Sequence, residues 1–407
     1  MPLMSLTGNY AVAHAVRLAR VKVISAYPIT PQTTIVEKLS AMVENGELDA
    51  KMVRVESEHS ALATVFGAAS AGARAFTATS SHGLLYMHEV VWWAAGSRIP
   101  LVMAVVTRAI GPPWNIHVDH QDIFDQRDTG WIIGIAQENQ EVLDMTLQAF
   151  KLSEDPRVYL PVMIGLDGFI LSHTRAPVDV PEQEVVDEWL PPRRQPYVIS
   201  PESNYVMGNI APDEVHFLMR YSMHEAMEAA KTVIKEIDKE YGEVFGRSYG
   251  GLIECHNCDD ADYLVVIAGS WSGDAKAASD ALRENGYKVG VARIRYIRPW
   301  PKEELEELGS RVKGVIVFDR AISMGGYGPL YSDVAGTLYN NGGKTSLVGV
   351  IAGLAGVDVR VETFKETILS IIHNMEENGF FFNPRLWLLP ESYSSREKML
   401  EVARRWL

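Results

Sequence analysis

The chain has 407 residues, 47% hydrophobic and 22% charged, with a formal net charge of -14. That length and balance point to a folded protein of two or three domains, and the acidic excess weighs against nucleic acid, whose phosphates need clustered Lys and Arg. No apolar run reaches the ~18–20 residues of a membrane span and no basic region precedes a long apolar core at the N-terminus, while two cysteines, Cys255 and Cys258, fit a reducing cytoplasm rather than a disulfide framework.

Residues 8–20 have helical spacing, and 22–27 (KVISAY) read as a short buried strand. Thr30 before Pro31 has the pattern of a helix N-cap and first-turn proline, so a helix is expected through IVEKLSAMVENG, stopping at Gly46. Strand MVRVE, helix SEHSALATVFGAASAG, strand ARAFTATS, helix LLYMHEVVWWAAGS and strand PLVMAVVTR follow. Helix EVLDMTLQAFKLSE then precedes strand LPVMIGLDG. Such alternation predicts a parallel sheet covered on both faces. Six prolines between Pro177 and Pro201 predict a wrapping arm over about residues 170–205. A long helical pattern runs from about Asp213 to Phe245.

The alternation restarts with strand YLVVIAGS, helix DAKAASDALRENG, strand KVGVARIRYI, helix KEELEELG, and strands GVIVFDR and SLVGVIAG. The fold class is therefore α/β, with two Rossmann-like parallel-sheet domains over 1–250 and 251–378. A tail over 379–407 holds Phe380, Phe381, Phe382 and Trp387 and would dock on its own body or on a partner.

Ligands of open parallel sheets sit at the carboxyl ends of strands, so the segments after each strand carry the candidates. After the first comes AYPITP, where Thr30 either starts a helix or helps hold a small carboxylate. After the second, Glu58 opens a helix, either as dipole compensation or as a buried acid sharing a proton with a ring nitrogen. After the third, Thr79–Gly83 is a small-residue turn that suits an anion or close packing. Arg108 ends the fourth strand, where it can grip a carboxylate bidentately or form a structural ion pair. The default for neighbouring Arg127 is a pair with Asp128.

His117, Asp119, His120 and Asp122 crowd one loop, but zinc sites draw on separated ligands, and no metal is assigned to them. One C-x-x-C, Cys255 to Cys258, cannot supply the four thiolates of an iron–sulfur cluster. Gly342-Gly343-Lys344-Thr345 fails as a phosphate loop because Leu338 stands where glycine is needed. Gly325-Gly326-Tyr327-Gly328 reads as a tight turn before a helix starting near Leu330.

Taken together and in order, AYPITP, ESEHSA, ATSSHG with LLYMHE, AVVTR, PPWNIHVDHQD and RDTGW resemble the alpha subunit of pyruvate:ferredoxin oxidoreductase and the wider 2-oxoacid:ferredoxin oxidoreductases. DADYLVVIAGS, the Arg298-Pro299-Trp300-Pro301 turn and FDRAISMGGYGPL extend the likeness from about Gly8 to Asn378. The resemblance implies a first domain of the type that binds the aminopyrimidine end of thiamine diphosphate and a second like the transketolase C-terminal domain. It implies oxidative decarboxylation of a 2-oxoacid, electrons passing to ferredoxin and the acyl group to coenzyme A. Residue by residue, it places Glu58 on the aminopyrimidine. Thr30 and Arg108 fall on the substrate carboxylate and keto group, and Tyr27, Pro28 and Ile29 line the pocket.

The chain has no G-D-G cation motif; Gly165-Leu166-Asp167-Gly168 is a faint echo. Thiamine diphosphate would thus be shared with a partner subunit, with Mg2+ and 4Fe–4S clusters on partners of the beta, gamma and delta type. Pyruvate is the expected substrate and 2-oxoisovalerate the alternative, in a cytoplasmic hetero-oligomer. A non-catalytic scaffold subunit and a stand-alone transketolase-type enzyme are the competing readings.

Overall fold

The structure, a computed structural model, describes residues 3–340, 345–379 and 382–390, with 393, 397 and 401 singly. The chain divides into two compact units. One is Met1–Glu254 with Ile294–Pro301, the other Cys255–Arg293 with Lys302–Leu407. In chain order the elements are β1 (Leu3–Thr7), α1 (Gly8–Leu18), β2 (Val23–Ser25), α2 (Thr33–Glu44), β3 (Lys51–Val53), α3 (Glu58–Ser70), β4 (Ala75–Thr79), α4 (Ser81–Tyr86), α5 (His88–Gly96), β5 (Val102–Thr107), α6 (Gln121–Phe124), β6 (Ile132–Ile135), α7 (Asn139–Glu154), β7 (Val162–Asp167), β8 (Arg175–Asp179), α8 (Gln183–Trp189) and α9 (Asp213–Phe245). There follow β9 (Ile253–His256), β10 (Tyr263–Ile267), α10 (Ser272–Glu284), β11 (Val289–Ile294), β12 (Tyr296–Arg298), α11 (Lys302–Arg311), β13 (Gly314–Asp319), α12 (Pro329–Asn340), β14 (Ser346–Ile351), α13 (Val361–Asn378) and β15 (Phe382–Trp387).

The first unit is built on a seven-stranded sheet of order β12-β6-β7-β5-β4-β2-β3. Every pairing is parallel except β12 with β6. Strands β4, β5 and β7 are buried at every residue, as central parallel strands covered on both faces must be. From β2 the chain steps outward to β3, then returns to lay β4 on the other side of β2. The strand order therefore reverses between β2 and β4, and their carboxyl ends flank the crevice where such sheets bind ligands.

Local chemistry starts the helices. The Thr7 hydroxyl accepts the Tyr10 N–H at the head of α1, and the Ser57 hydroxyl accepts the Ser60 N–H at the head of α3, both at 3.2 Å. Thr30, expected as a cap, is not one: α2 begins at Thr33, after Gln32. Tertiary bonds hold the preceding turn instead. Asn9 donates to the Pro31 carbonyl at 2.8 Å, and the Gln32 amide donates to the Ala78 carbonyl at 2.9 Å. The expected helix over 84–97 is divided at Met87 into α4 and α5. The proline-rich arm contains β8, antiparallel to β1, and the short helix α8. Beyond them Arg193 donates to the carbonyls of Ala69 and Ala73, so the arm caps the end of α3. The long helix spans Asp213–Phe245 and ends on Gly246 in the left-handed conformation, φ 76°.

The sequence pattern 288–297 reads as one strand, but it is divided between sheets. β11 lies in the second unit's sheet and β12 completes the first's. Between them Arg295 is wholly buried in the first unit, its Nε donating to Glu141 Oε1 at 2.7 Å and its Nη1 to Asp238 Oδ1 at 3.3 Å and to the Gly251 carbonyl. Asp238 also accepts the Ser248 hydroxyl and the N–H groups of Tyr249, Gly250 and Gly251. Two carboxylates and a loop are thus fixed by one cation.

The second unit has a six-stranded sheet of order β15-β14-β13-β10-β11-β9. Trp271, Phe318 and Phe364 stack edge to face in its core, with Phe318 and Phe364 4.8 Å apart. Asp319 accepts the N–H groups of Leu330 and Tyr331 at the head of α12, and a Cβ on Gly328 would lie 2.0 Å from its Oδ2. The glycine run is the tight turn expected before that helix. In the tail, Phe382–Trp387 pairs parallel with β14 of its own unit. Phe380, Phe381 and residues 341–344 of the failed phosphate loop lie outside the described residues. Cys255 is exposed and Cys258 buried; its hydrogen bond with Cys255, together with burial, pushes the Cys258 thiol up, so it stays protonated. No helix among the described residues is long and apolar enough to cross a membrane.

Glu141→Ala is expected to leave the buried Arg295 with the longer contact to Asp238 and to destabilise the chain by about 3 kcal/mol, the lower end of the usual cost of breaking a buried pair on one side. A lower midpoint in denaturant titration checks this, and Glu141→Gln, which keeps an acceptor, should lose less.

Candidate active site

The crevice is organised by Asp122, which is buried without exposure in α6. Its Oδ2 accepts two backbone N–H groups, Ser81 at 2.8 Å and Arg108 at 3.0 Å, while Oδ1 accepts that of Ile123 at 2.8 Å. The segments leaving β4 and β5 are therefore pinned to one oxygen. Burial pushes the Asp122 carboxyl well above the usual carboxylate range, and the negative charge of Asp119 adds to this against the three N–H donors. Ser81 sits at φ 47°, a left-handed conformation that costs a non-glycine residue about 1–3 kcal/mol. Its N–H to Asp122 and its hydroxyl to the Ala109 carbonyl, 2.7 Å, hold it there.

Arg108 is 3% exposed and reaches across the crevice. Its Nη1 donates to the Thr30 carbonyl at 2.7 Å, and its Nη2 lies 3.1 Å from His82 Nδ1. Its buried Nε has no hydrogen-bond partner among the described residues. Burial lowers the proton affinity of this guanidinium, and the Asp122 charge opposes that. Arginine still stays charged at any pH the fold tolerates.

Glu58 is 9% exposed in the first turn of α3. Among the described residues nothing donates a hydrogen bond to its carboxylate. It lies against Gly83: a Cβ built there would stand 2.8 Å from Glu58 Oε1 and 2.5 Å from Thr79 Oγ1. The buried hydroxyls of Thr79 and Ser80 also lack partners among the described residues. The run Thr30–Arg108–His82–Gly83–Glu58 is thus continuous, an anion grip at one end and an unmet acceptor at the other. Thr30 is exposed and its hydroxyl makes no hydrogen bond among the described residues; its carbonyl is what meets Arg108. Tyr27 and Pro28 are exposed on the same loop and Ile29 is half-buried, with no bond from any of their side chains to Arg108 or Glu58.

Residues 14–239 match the family model for pyruvate flavodoxin/ferredoxin oxidoreductase, thiamine-diphosphate-binding, and 261–364 match core domain II of pyruvate:ferredoxin oxidoreductase. The chain belongs to the 2-oxoacid:ferredoxin oxidoreductase family. Its relatives are alpha-type subunits. It is 47% identical over 361 residues to ketoisovalerate oxidoreductase subunit VorA of Pyrococcus abyssi, spanning 88% of this chain and 91% of that one. To pyruvate synthase subunit PorA of the same organism it is 45% identical over 390 residues, 95% and 98% of the two chains. The fold also matches the 2-oxoglutarate:ferredoxin oxidoreductase of Magnetococcus marinus, TM-score 0.72 at 20% identity, over 91% of this chain and 65% of that one. A split-gene transketolase matches at TM-score 0.53 and 12% identity, over 91% and 99%.

The donor set at this family member's crevice fits the aminopyrimidine end of thiamine diphosphate. The Glu58 carboxylate faces the crevice with no donor among the described residues, and an aminopyrimidine carries ring nitrogens and an exocyclic amine able to meet it. The histidine–aspartate loop has a different role. His120 Nε2 bonds Asp167 Oδ1 at 2.8 Å, Asp122 holds backbone, and no group among the described residues is arranged to bind a metal. Asp128 lies 3.9 Å from Arg298 rather than pairing with Arg127 as expected. Sequence reasoning saw His82 and Gly83 only as parts of a small turn, and saw Asp122 only among metal candidates.

Gly83→Ala is expected to push the Glu58 carboxylate off its seat, because no rotamer removes a Cβ that the backbone fixes 2.8 Å from it. Activity of the purified complex should fall at least about ten-fold while far-UV dichroism stays unchanged.

Proposed function

We propose that this chain supplies the substrate grip and the aminopyrimidine contact of a CoA-acylating 2-oxoacid:ferredoxin oxidoreductase, with pyruvate as the first substrate. The observation that carries this is the pairing of a buried, unpartnered Glu58 with a buried Arg108 whose partners are neutral. Thiamine diphosphate, when bound, supplies the carbanion that attacks a keto carbon and takes up the electrons of decarboxylation. Glu58 would hold a ring-nitrogen proton of its aminopyrimidine. Arg108 would bind the 2-oxoacid carboxylate through its remaining N–H groups, and Thr30 would offer its free hydroxyl to the keto oxygen. Tyr27, Pro28 and Ile29 would form the wall past which the substrate side chain lies. Burial of Arg108 excludes water and strengthens its attraction for the carboxylate.

Two cysteines cannot ligate a 4Fe–4S cluster, and no G-D-G motif is available for a diphosphate-bound cation. These parts, with Mg2+, are assigned to partner subunits of the beta, gamma and delta type, which would share the cofactor and pass electrons to ferredoxin. Free thiols and relatives that are subunits support a cytoplasmic complex. A second reading, 2-oxoisovalerate as substrate, is favoured by the likeness to VorA subunits at 47–48% identity.

The test is anaerobic, CoA-dependent reduction of ferredoxin or a viologen by the natively purified complex, with pyruvate, 2-oxoisovalerate and 2-oxoglutarate in parallel. Turnover highest with pyruvate is expected; 2-oxoisovalerate dominance would favour the second reading, and no turnover in a cofactor-replete complex would overturn both. Glu58→Gln should assemble normally, judged by gel filtration, yet lose about two orders of magnitude or more in kcat, the usual range for proton-transfer groups.

A further inference from the structure

Arginines buried beside a ligand are commonly oriented by a carboxylate, which fixes the guanidinium but cancels its charge. Arg108 is oriented differently. Its contacts among the described residues are the Thr30 carbonyl and the His82 ring, and Asp122, whose charge acts on it, spends its oxygens on backbone N–H groups.

The hydrogen-bond geometry decides the state of that ring. Arg108 can only donate, so the 3.1 Å contact requires a lone pair on His82 Nδ1. Ser81 Oγ, 3.3 Å from the same nitrogen, gives its proton to the Ala109 carbonyl and does not compete. The proton of the neutral ring then sits on Nε2, which donates to the Gly111 carbonyl at 3.2 Å. The opposite tautomer would let Nε2 accept the Gly111 N–H at 3.1 Å. It would also aim an Nδ1–H at a guanidinium, and a charge-assisted bond is roughly twice as strong as a neutral one, so Arg108 wins.

We propose that His82 is a positioning residue: neutral and with its lone pair on Nδ1, it aims Arg108 at the substrate carboxylate without neutralising it. Two of the five guanidinium N–H groups are committed, one to Thr30 and one to His82, which leaves three, among them the buried Nε–H. A single carboxylate needs two. The remaining donors therefore suit the single carboxylate at the reacting end of a 2-oxoacid. The left-handed Ser81 directly precedes His82, and Asp122 holds the backbones of Ser81 and Arg108 through their N–H groups.

This rests on the proposed function, and three variants of the assembled complex test it. His82→Asn keeps a neutral acceptor near the place of Nδ1, His82→Asp keeps the shape but adds a negative charge, and His82→Ala removes the acceptor. The expected result is a 2-oxoacid KM near wild type for Asn and raised about ten-fold or more for Ala and Asp, the worth of a charge-assisted contact, with kcat within about three-fold. Calorimetric titration with oxamate, a carboxylate that cannot be decarboxylated, should weaken in the same order. Equal effects of Asn and Asp, or an unchanged KM in Ala, would overturn the role of His82 while the proposed function stands. A wild-type complex that turns over no 2-oxoacid removes the proposed function, and this inference with it.

Discussion

One carboxylate oxygen ties the crevice together. Asp122 Oδ2 takes the N–H of Ser81 and the N–H of Arg108, residues that leave neighbouring parallel strands. A parallel sheet fixes where its strands end but not how the segments beyond them lie. Here those segments carry the charged grip and the ring that orients it, and a single buried acceptor sets their spacing. The strained Ser81 backbone is the visible cost of that arrangement. Without such an anchor the two loops would move independently, and the distances from Arg108 to its neighbours would have no reason to be kept.

The arrangement separates two kinds of polar burial. Arg295 is surrounded by Glu141 and Asp238 and its charge is spent inside the fold. Arg108 is nearly as buried, yet meets a carbonyl and an imidazole, so its charge stays available. Glu58 mirrors it with the opposite sign, buried and without a protein donor. The Arg108 Nε, buried and without a partner among the described residues, is expensive to leave unmet. One acidic and one basic side chain facing the same crevice support the proposal that a ligand completes the hydrogen bonding there.

Much of this was legible in the sequence. Alternating strand and helix patterns gave the parallel sheets, and the segments after the first, second and fourth strands held Thr30, Glu58 and Arg108. What could not be read there was three-dimensional pairing. Thr30 has the look of a cap, but Gln32 and Asn9 bond elsewhere and delay α2 to Thr33. Asp122 and His120 look like metal ligands because they crowd one loop, yet their partners lie 41 and 47 residues away, at Ser81 and Asp167. The part played by His82 depends on which nitrogen holds the proton, and a contact with a residue 26 positions away decides it. Residues 288–297 read as one strand, and only pairing reveals that two sheets share it.

That shared stretch makes the two halves inseparable by a single cut. A chain severed anywhere between Glu254 and Ile294 would deprive the first sheet of its edge strand β12. It would also leave Glu141 and Asp238 in the interior with no arginine between them, two like charges facing each other in a dry space. Gene fission is a familiar route by which multi-part enzymes rearrange, but here a break after Pro301 would in turn take β9, β10 and β11 from the second sheet. The stitch of eight residues thus acts as an evolutionary lock, keeping the two modules in one reading frame.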